Sequence, residues 1–289
     1  MTGGAAKQKT ALITGATDGL GRATAILLAE RGYRVFAAGR SAEKRAQLDA
    51  LAREKNLPLE TLVLDVCDDA SVQRVVSDVI GKAGAIDILF NNAGVNFTAA
   101  VEDLRMEDWR RQFETNFFGV VRVTQAVLPH MRERKSGRII MMSSVSGFVT
   151  VPTQGAYSSS KFALEAMSNA LRLELYPFNV QVILIEPGYI VTGIQQAAMD
   201  LAKPYLENPE KGPYAGLYTR FLKSMTGARA QSKTTPEDCA RVVLKAIESR
   251  NPKIRYTVTQ LAVVAKWCKR LLSDSAVDAV FRRRFGIEK

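Results

Sequence analysis

Apolar runs of five or six residues alternate with longer amphipathic stretches from residue 10 onward. Short, nearly continuous apolar runs are typical of strands that are covered on both faces of a sheet. Six such runs occupy residues 10–14, 33–38, 59–64, 86–90, 138–142 and 180–185. Enough residues separate consecutive runs to form a crossover helix. The pattern therefore predicts an α/β fold, with a doubly wound parallel sheet of about seven strands and helices on both faces.

The alternation ends near residue 193. From there to residue 234 the chain carries several prolines, glycines and scattered aromatic residues, which is typical of a lid or a binding loop. Thr235 and Pro236 then predict the N-cap and first position of a further helix. Because no internal repeat is present, we expect a single domain over residues 1–289. Its parts are a core (7–192), a lid (193–234), and C-terminal helices with a basic tail (235–289).

Composition argues against several classes of protein. The 289 residues are 47% hydrophobic and 24% charged, as in ordinary globular proteins. No uncharged apolar run approaches the ~18–20 residues of a membrane-spanning helix, and the first residues lack the apolar stretch of a secretory signal. We therefore expect a cytoplasmic protein. Three cysteines without metal-ligand spacing and a single histidine, His130, argue against a metal site and a Ser-His-Asp hydrolase.

Positive charge is concentrated at the carboxyl end. The formal net charge is +11, and residues 250–289 carry ten Lys or Arg against three Asp or Glu. The rest of the chain carries mixed charges, which does not fit a nucleic-acid binder. In the tail, Val264, Trp267, Cys268, Leu271 and Leu272 fall at helical spacing with cations between them. This predicts either weak peripheral contact with an anionic membrane or a final helix packed on the core.

A glycine-rich turn follows the first predicted strand, with the spacing G-x-x-x-G-x-G. A helix is predicted to begin within this turn. Such a turn needs glycine where φ is positive and where a phosphate approaches the backbone, and the amides and dipole of the helix N-terminus attract that phosphate. We therefore expect a dinucleotide site here. Its expected residues are Gly15, Thr17, Asp18, Gly19, Leu20 and Gly21.

The end of the second predicted strand indicates which dinucleotide binds. NAD-binding folds typically place Asp or Glu near this position to hold the ribose hydroxyls. Here Gly39 is followed by Arg40, whose guanidinium can bind a 2′-phosphate, and Lys44 and Arg45 lie one helical turn further on. The sequence therefore favours NADP(H) over NAD(H). The alternative is that Arg40 merely caps the strand.

Tyr157 and Lys161 lie four residues apart in a predicted helix, so the phenol and the ammonium share one face. An ammonium close by stabilises the phenolate and lowers the tyrosine pKa from about 10, which suits proton transfer to a carbonyl oxygen. Ser144 follows a predicted strand, where its hydroxyl can hydrogen-bond a substrate oxygen. Ser143 takes that role if the register is shifted by one residue.

The glycine loop, the Tyr-Ser-Ser-Ser-Lys run, residues 91–94 (NNAG) and residues 187–192 (PGYIVT) occur in the order typical of one family. Over about residues 7–192 the chain resembles the short-chain dehydrogenase/reductase family. The resemblance implies a Rossmann fold and an NAD(P)-dependent alcohol dehydrogenase or carbonyl reductase. It also implies that Tyr157 is the general acid/base, that Lys161 lowers its pKa and holds the nicotinamide ribose, and that Ser144 orients the substrate. Asn116 would support a water-linked proton relay.

The same resemblance implies further cofactor contacts. Asp65 and Val66 would contact the adenine ring. The remaining expected contacts, besides Tyr157 and Lys161, are Asn92, Ala93, Gly94, Pro187, Gly188, Ile190 and Thr192. Asp18 stands where many members that prefer NADP carry a basic residue.

Apolar and aromatic residues of the lid, together with Val145 and Tyr189, predict a pocket for a bulky lipophilic alcohol or ketone. The expected substrate contacts are Ser144, Val145, Tyr157 and Tyr189. The alternative is that the aromatic residues only pack the lid onto the core. The chain looks most like the 17β-hydroxysteroid and retinol dehydrogenase group, which suggests a steroid-like, retinoid-like or long-chain substrate.

Two other functions stay open at this point. The first is a 3-oxoacyl-thioester reductase, which uses the same four residues with NADPH. The second is a non-catalytic NADPH-binding sensor or scaffold, which has no need for a reactive Ser, Tyr, Lys and Asn together. The resemblance also suggests a homodimer or homotetramer built through helices near residues 108–132 and 155–175.

Overall fold

The computed structural model describes residues 8–206, 212–231 and 233–287. Seven strands form one sheet in the order β3-β2-β1-β4-β5-β6-β7, and every pairing is parallel. The strands are β1 (Thr10–Thr14), β2 (Arg34–Gly39), β3 (Leu59–Val63), β4 (Ile88–Asn91), β5 (Gly137–Met142), β6 (Val180–Glu186) and β7 (Arg255–Thr257). The predicted doubly wound fold is confirmed, and the six predicted strands lie within two residues of β1–β6.

Helices cover both faces of the sheet. In chain order, the first six helices are α1 (Gly19–Glu30), α2 (Ala42–Glu54), α3 (Asp69–Ala83), α4 (Met106–Phe113), α5 (Gly119–Glu133) and α6 (Gly155–Glu174). The helices that follow them along the chain are α7 (Gly193–Leu206), α8 (Ala215–Gln231), α9 (Pro236–Glu248), α10 (Gln260–Leu271) and α11 (Asp274–Phe285). A π-helical turn (Glu114–Phe118) joins α4 to α5, and short 3₁₀ turns occupy Val145–Gly147 and Tyr176–Phe178. Among the described helices, none combines the length and the apolar character that crossing a membrane requires.

Side chains of alternate strand residues pack into two separate cores, because successive side chains of a strand point to opposite faces of the sheet. Leu12, Leu89 and Ile139 pack under α3, α5 and α6, on one face. Ile13 and Phe90 pack under α1, α2 and α9, on the other. The near-continuous apolar runs of the sequence reflect this burial on both sides.

Residues 193–234 differ from the expected irregular segment, because α7 and α8 occupy much of it. Pro204 lies inside α7 near its end, so it does not prevent the helix from forming. Residues 207–211 and 232 of the predicted lid lie outside the described residues, as do 288–289 of the predicted tail. The predicted start of α9 is confirmed: Thr235 and Asp238 form a capping box, with Pro236 in the first turn.

Candidate active site

All strands are parallel, so the loops that follow β1, β4, β5 and β6 meet at one edge of the sheet. The strand order reverses between β1 and β4, which creates the crevice where such sheets bind ligands. The glycine loop follows β1, residues 92–94 follow β4, Ser143 and Ser144 follow β5, and residues 187–192 follow β6. The fold therefore brings the predicted cofactor and catalytic residues to one edge.

The glycine loop is held by an amide from β4. Gly15 and Gly19 have φ of +62° and +48°, which favours glycine at both positions. At Gly21 an added Cβ would lie 2.3 Å from the Gly15 carbonyl oxygen and 2.4 Å from the Asn92 Nδ2. Asn92 Nδ2 itself donates to the carbonyls of Thr14 and Gly15, each at 3.0 Å. Asn92 thus supports the loop that the sequence assigned to phosphate binding.

The N-terminus of α1 is shaped to receive an anion. Asp18 is its N-cap and accepts a hydrogen bond from the Gly19 amide at 2.7 Å. The next amides, of Leu20 and Gly21, point out of the helix end, because the first turn of a helix leaves its amides without helical partners. Close backbone approach at Gly21 and these amides fit a dinucleotide pyrophosphate.

The end of β2 is closed to a bulky side chain. A Cβ added to Gly39 would lie 2.8 Å from both Cγ2 and Oγ1 of Thr17, so an acidic residue there would force a shift. Arg40 follows with its side chain 67% exposed and its Nη1 3.8 Å from Asp65 Oδ2. Lys44 forms an ion pair with Asp18. Lys44 therefore offsets the acidic residue of the glycine loop, whereas the sequence suggested that it adds charge beside Arg40.

Local contacts hold the segment after β3, which was expected to meet the adenine ring. Asp65 Oδ1 accepts a hydrogen bond from the Cys67 amide at 3.0 Å. Val66 is buried, and its carbonyl accepts from Arg122 Nη1 at 2.7 Å. Arg45 follows Arg40 in the sequence, lies on α2 and is half-buried. Of the cations near the end of β2, Arg40 has a side chain that is mostly exposed, and its ion pair with Asp65 is long, at 3.8 Å.

Tyr157 and Lys161 share one face of α6, as predicted. The Lys161 Nζ lies 5.7 Å from the centroid of the Tyr157 ring and donates to the Met142 carbonyl, at the end of β5, at 2.7 Å. Burial lowers the pKa of Lys161 to about 8, against the opposing effect of the Glu165 carboxylate one turn later. The ammonium is therefore held at the sheet edge with a pKa below its ordinary value.

The two serines after β5 point to different partners. The Ser144 hydroxyl hydrogen-bonds the Tyr157 phenol and accepts from the Ser146 amide at 3.1 Å. Ser143 instead donates from its Oγ to Glu165 Oε1 at 2.5 Å, two turns further along α6 than Tyr157. Ser144 is thus the serine that reaches Tyr157.

The pKa of Tyr157 differs from the expectation. The sequence suggested that Lys161 lowers it, but burial raises the pKa of Tyr157, and the hydrogen bond from Ser144 only partly opposes this rise. The reason is geometric, because the Lys161 ammonium is directed at the Met142 carbonyl. In this arrangement the phenol keeps its proton and is poised to donate it.

Asn116 lies fully buried in the π-helical turn between α4 and α5. Its Oδ1 accepts from the Val95 amide at 2.8 Å, and its Nδ2 donates to the Val95 carbonyl at 3.0 Å and to Ser160 Oγ at 3.3 Å. Ser160 Oγ in turn donates to the Tyr157 carbonyl at 2.7 Å. Asn116 therefore couples the segment after β4, which includes Ala93 and Gly94, to the helix that carries Tyr157. A π-helical turn often marks a functional position.

The segment after β6 packs between the glycine loop and α10. The Pro187 carbonyl accepts from the Val145 amide at 2.9 Å, which joins the two predicted substrate walls. A Cβ on Gly188 would lie 2.2 Å from Thr259 Oγ1, and a Cβ on Gly19 would lie 3.2 Å from Thr192 Cβ. Ile190 is buried and Tyr189 is partly buried. These contacts bring Thr192 to the glycine loop.

Tyrosines of the predicted lid fasten it to the segment before α4. The Tyr205 hydroxyl donates to Asp108, and the hydroxyls of Tyr214 and Tyr218 donate to Glu102 and Asp103, each at 2.6 Å. Tyr218 also accepts from the Ala100 amide at 2.9 Å. Part of the aromatic content of the lid therefore anchors it, as the alternative interpretation of the sequence supposed.

A buried ion network behind the site has no counterpart in the sequence prediction. Arg255 lies 3.0 Å from Glu165 Oε2 and 3.2 Å from Glu186 Oε1, and Lys266 lies 2.7 Å from Glu186 Oε2. Glu165 also accepts the hydrogen bond from Ser143. Only the one-turn spacing of Lys161 and Glu165 on α6 could have signalled it, because the cations come from about 90 residues further along the chain.

Comparison with known proteins agrees with this geometry. The profile of the family described as short chain dehydrogenase matches residues 9–201. The chain is 35% identical over 277 residues to 3-ketodihydrosphingosine reductase of Bacteroides thetaiotaomicron, covering 96% of this chain and 97% of the relative. It is 35% identical over 253 residues to retinol dehydrogenase 8 of Bos taurus, covering 86% of this chain and 80% of the relative.

A solved structure shows the same fold. The short chain dehydrogenase/reductase of Burkholderia phymatum, in complex with NAD, superposes with a TM-score of 0.79 at 26% identity and covers 92% of each chain. The sheet order, the glycine loop and the Ser144, Tyr157 and Lys161 cluster occur together in a chain that matches the family over most of its length. The protein therefore belongs to the short-chain dehydrogenase/reductase family and is an oxidoreductase that uses a nicotinamide cofactor.

Proposed function

We propose that this protein transfers a hydride, with NADP(H), between the nicotinamide and a carbonyl or alcohol carbon of a bulky lipophilic substrate. The observation that carries the proposal is the cluster at the sheet edge, where Ser144 hydrogen-bonds the phenol of Tyr157 and Lys161 lies on the same helix face. When bound, the nicotinamide supplies or accepts the hydride. The protein supplies positions, hydrogen bonds and the proton.

The cluster assigns a role to each side chain. In the direction of reduction, the Tyr157 hydroxyl gives its proton to the carbonyl oxygen, which becomes the alcohol. Ser144 donates a hydrogen bond to the same oxygen as negative charge develops there. Lys161 stabilises the phenolate that Tyr157 leaves behind, and Asn116 holds the backbone after β4 against the catalytic helix. Oxidation of an alcohol uses the same groups in reverse.

The cofactor would lie along the crevice from the glycine loop to Tyr157. The pyrophosphate would meet residues 15–21, the adenosine would meet Asp65 and Val66, and the nicotinamide half would lie near Lys161. Other proposed contacts are Ala93, Gly94, Pro187, Gly188, Ile190 and Thr192. Asn92 would act through the glycine loop, whose carbonyls it binds.

Preference for NADP(H) rests on Arg40. Arg40→Ala should lower kcat/KM for NADPH by about 10- to 100-fold and leave kcat/KM for NADH nearly unchanged, because a charge-assisted bond to phosphate is worth about 1.5–3 kcal/mol. Steady-state kinetics with both cofactors measure this. Arg53→Ala removes the same charge from an exposed position on α2 and serves as the control. An equal loss with both cofactors would exclude a role for Arg40 in binding the 2′-phosphate.

Two observations support the lipophilic substrate. The amide of Val145, the residue after Ser144, donates to the Pro187 carbonyl, which joins the apolar Val145 to the segment that carries Tyr189. Two relatives are named for 3-ketodihydrosphingosine and for retinol. NADPH oxidation should therefore appear with a ketosteroid, with retinal or with a long-chain ketone. Turnover with 3-oxoacyl thioesters alone would favour the thioester reductase. Tight NADPH binding without turnover of any of these would favour the sensor.

We also propose that the protein is a cytoplasmic homodimer or homotetramer. Phe118 before α5, and Phe162 and Leu173 on α6, expose large apolar side chains on the helices that the sequence assigned to a subunit seam. Paired helices of two subunits would bury these side chains in a four-helix arrangement. Sedimentation velocity distinguishes a monomer, a dimer and a tetramer.

A further inference from the structure

Helix α10 turns its apolar side chains away from the protein. Leu261, Val264, Trp267 and Leu271 are between 56% and 74% exposed. Their spacing of three or four residues places them in one stripe along the helix. Ala262 is the buried residue of α10 and packs on the opposite side, toward Gly188. The stripe is therefore mostly exposed, and at its edge Trp267 also lines a cavity that Phe148 and Lys266 border.

The inward side of α10 carries charge instead. Lys266 forms an ion pair with the buried Glu186 at 2.7 Å, and Lys269 pairs with Asp274 at the start of α11. A helix that packs on a core normally buries its apolar face and exposes its charges. The arrangement on α10 is the reverse of this, and an apolar stripe of this length marks an interaction surface.

The charges around the stripe select the partner. The Arg270 guanidinium lies 5.9 Å from the centroid of the Trp267 ring. On α11, Arg282, Arg283 and Arg284 are exposed and form no ion pair within the described residues. An apolar stripe with an amphipathic aromatic residue, an arginine beside it and a basic helix after it matches the surface of an anionic bilayer. Two copies facing each other through this surface would bring together two segments, residues 250–289, that each carry ten Lys or Arg against three Asp or Glu, which disfavours self-association.

We propose that α10 lies in the interface of an anionic lipid bilayer. Its outward side chains enter the acyl region, and the arginines of α11 contact the lipid phosphates. The helix begins beside Gly188, and its Lys266 Nζ lies 5.6 Å from the centroid of the Phe148 ring, in the loop after Ser144. Docking would therefore place the bilayer next to the segments that border the active site.

Vesicle binding tests this directly with the full chain, and it needs no turnover, so its outcome is independent of the proposed substrate. Co-sedimentation should occur with vesicles of phosphatidylcholine and phosphatidylglycerol, weaken as salt rises, and be at least about tenfold weaker with phosphatidylcholine alone. Absence of binding to the anionic vesicles at low salt would overturn the proposal.

Matched variants locate the contact. Val264→Asn combined with Leu271→Gln should weaken binding to the anionic vesicles by about tenfold or more, since two exposed apolar side chains lose their transfer into lipid. Val63→Asn makes one of these changes at a similarly exposed position on β3 and should leave binding unchanged. Equal binding by the wild type and the α10 variant would contradict the proposal. Conversion of a dimer to a monomer by the α10 variant, without loss of vesicle binding, would assign the stripe to a second copy instead.

Trp267 reports insertion itself. The chain has two tryptophans, and Trp109 lies on α4 and is partly buried. Vesicles whose acyl chains carry bromine should quench the Trp267 emission. Trp267→Phe should remove most of that quenching and retain enough binding for the comparison. Binding without quenching would show adsorption through the arginines alone and would overturn insertion of α10.

Discussion

Replacing Tyr157 by Phe should lower kcat/KM for carbonyl reduction by about 10³-fold, within the range of general acid-base catalysis. The substitution removes the hydroxyl that hydrogen-bonds Ser144 and that gives a proton to the carbonyl oxygen. It keeps the ring beside the Lys161 ammonium, so the fold and the cofactor crevice should persist. NADPH oxidation with the best ketone of the panel measures the loss, and NADPH binding by fluorescence shows that the cofactor site is intact.

Two variants separate chemistry from structure in this experiment. Tyr176→Phe makes the same chemical change at an exposed position and should leave the rate unchanged. Ser144→Ala should also lose activity, whereas Ser143→Ala should mainly affect stability, because the Ser143 hydroxyl binds Glu165 and not Tyr157. A Tyr157→Phe enzyme with nearly wild-type turnover would rule out the proposed proton donor.

Replacing Arg255 by Met should lower the free energy of unfolding by about 3–5 kcal/mol, the range for breaking a buried ion pair by removal of one partner. Arg255 bridges two carboxylates, of which Glu186 is 1% exposed and Glu165 is largely buried. Glu186 keeps its bond to Lys266, whereas the hydrogen bond that Glu165 keeps within the described residues is the one from the Ser143 hydroxyl. Urea unfolding, followed by circular dichroism, measures the difference.

The loss of unfolding free energy in Arg255→Met should grow as the pH rises from acid toward neutrality. Burial already raises the pKa of Glu165 above 4.5, and removal of Arg255 raises it further. Above 4.5 and below this raised pKa, the folded state binds more protons than the unfolded state, so stability falls as pH rises. The variant should therefore be closest to the wild type in acid and furthest from it near neutrality.

An exposed ion pair provides the control. Arg241 pairs with Asp238 on the surface of α9, and Arg241→Met should cost at most about 1 kcal/mol. If the Arg255→Met and Arg241→Met variants had equal free energies of unfolding, the network behind the active site would contribute no more to stability than an exposed ion pair does.

Local sequence was sufficient for much of the fold. The six strands β1–β6, the glycine turn and the Thr235 cap depend on neighbours along the chain, through apolar runs, positive φ at glycine and a capping hydroxyl. The short β7 was not located, since three half-buried residues carry little apolar signal. The lid helices were missed because their prolines and glycines resemble those of a loop.

The sequence by itself determined that Tyr157 and Lys161 share a helix face and that Ser144 or Ser143 ends a strand near them, because these relations are periodic and local. Only the tertiary structure decided which serine reaches Tyr157, that Lys44 neutralises Asp18, and that Lys161 is directed at the Met142 carbonyl. It also decided that the apolar stripe of α10 points outward. Each of these depends on which surface another part of the chain presents, and contacts between residues far apart in sequence leave no periodic trace.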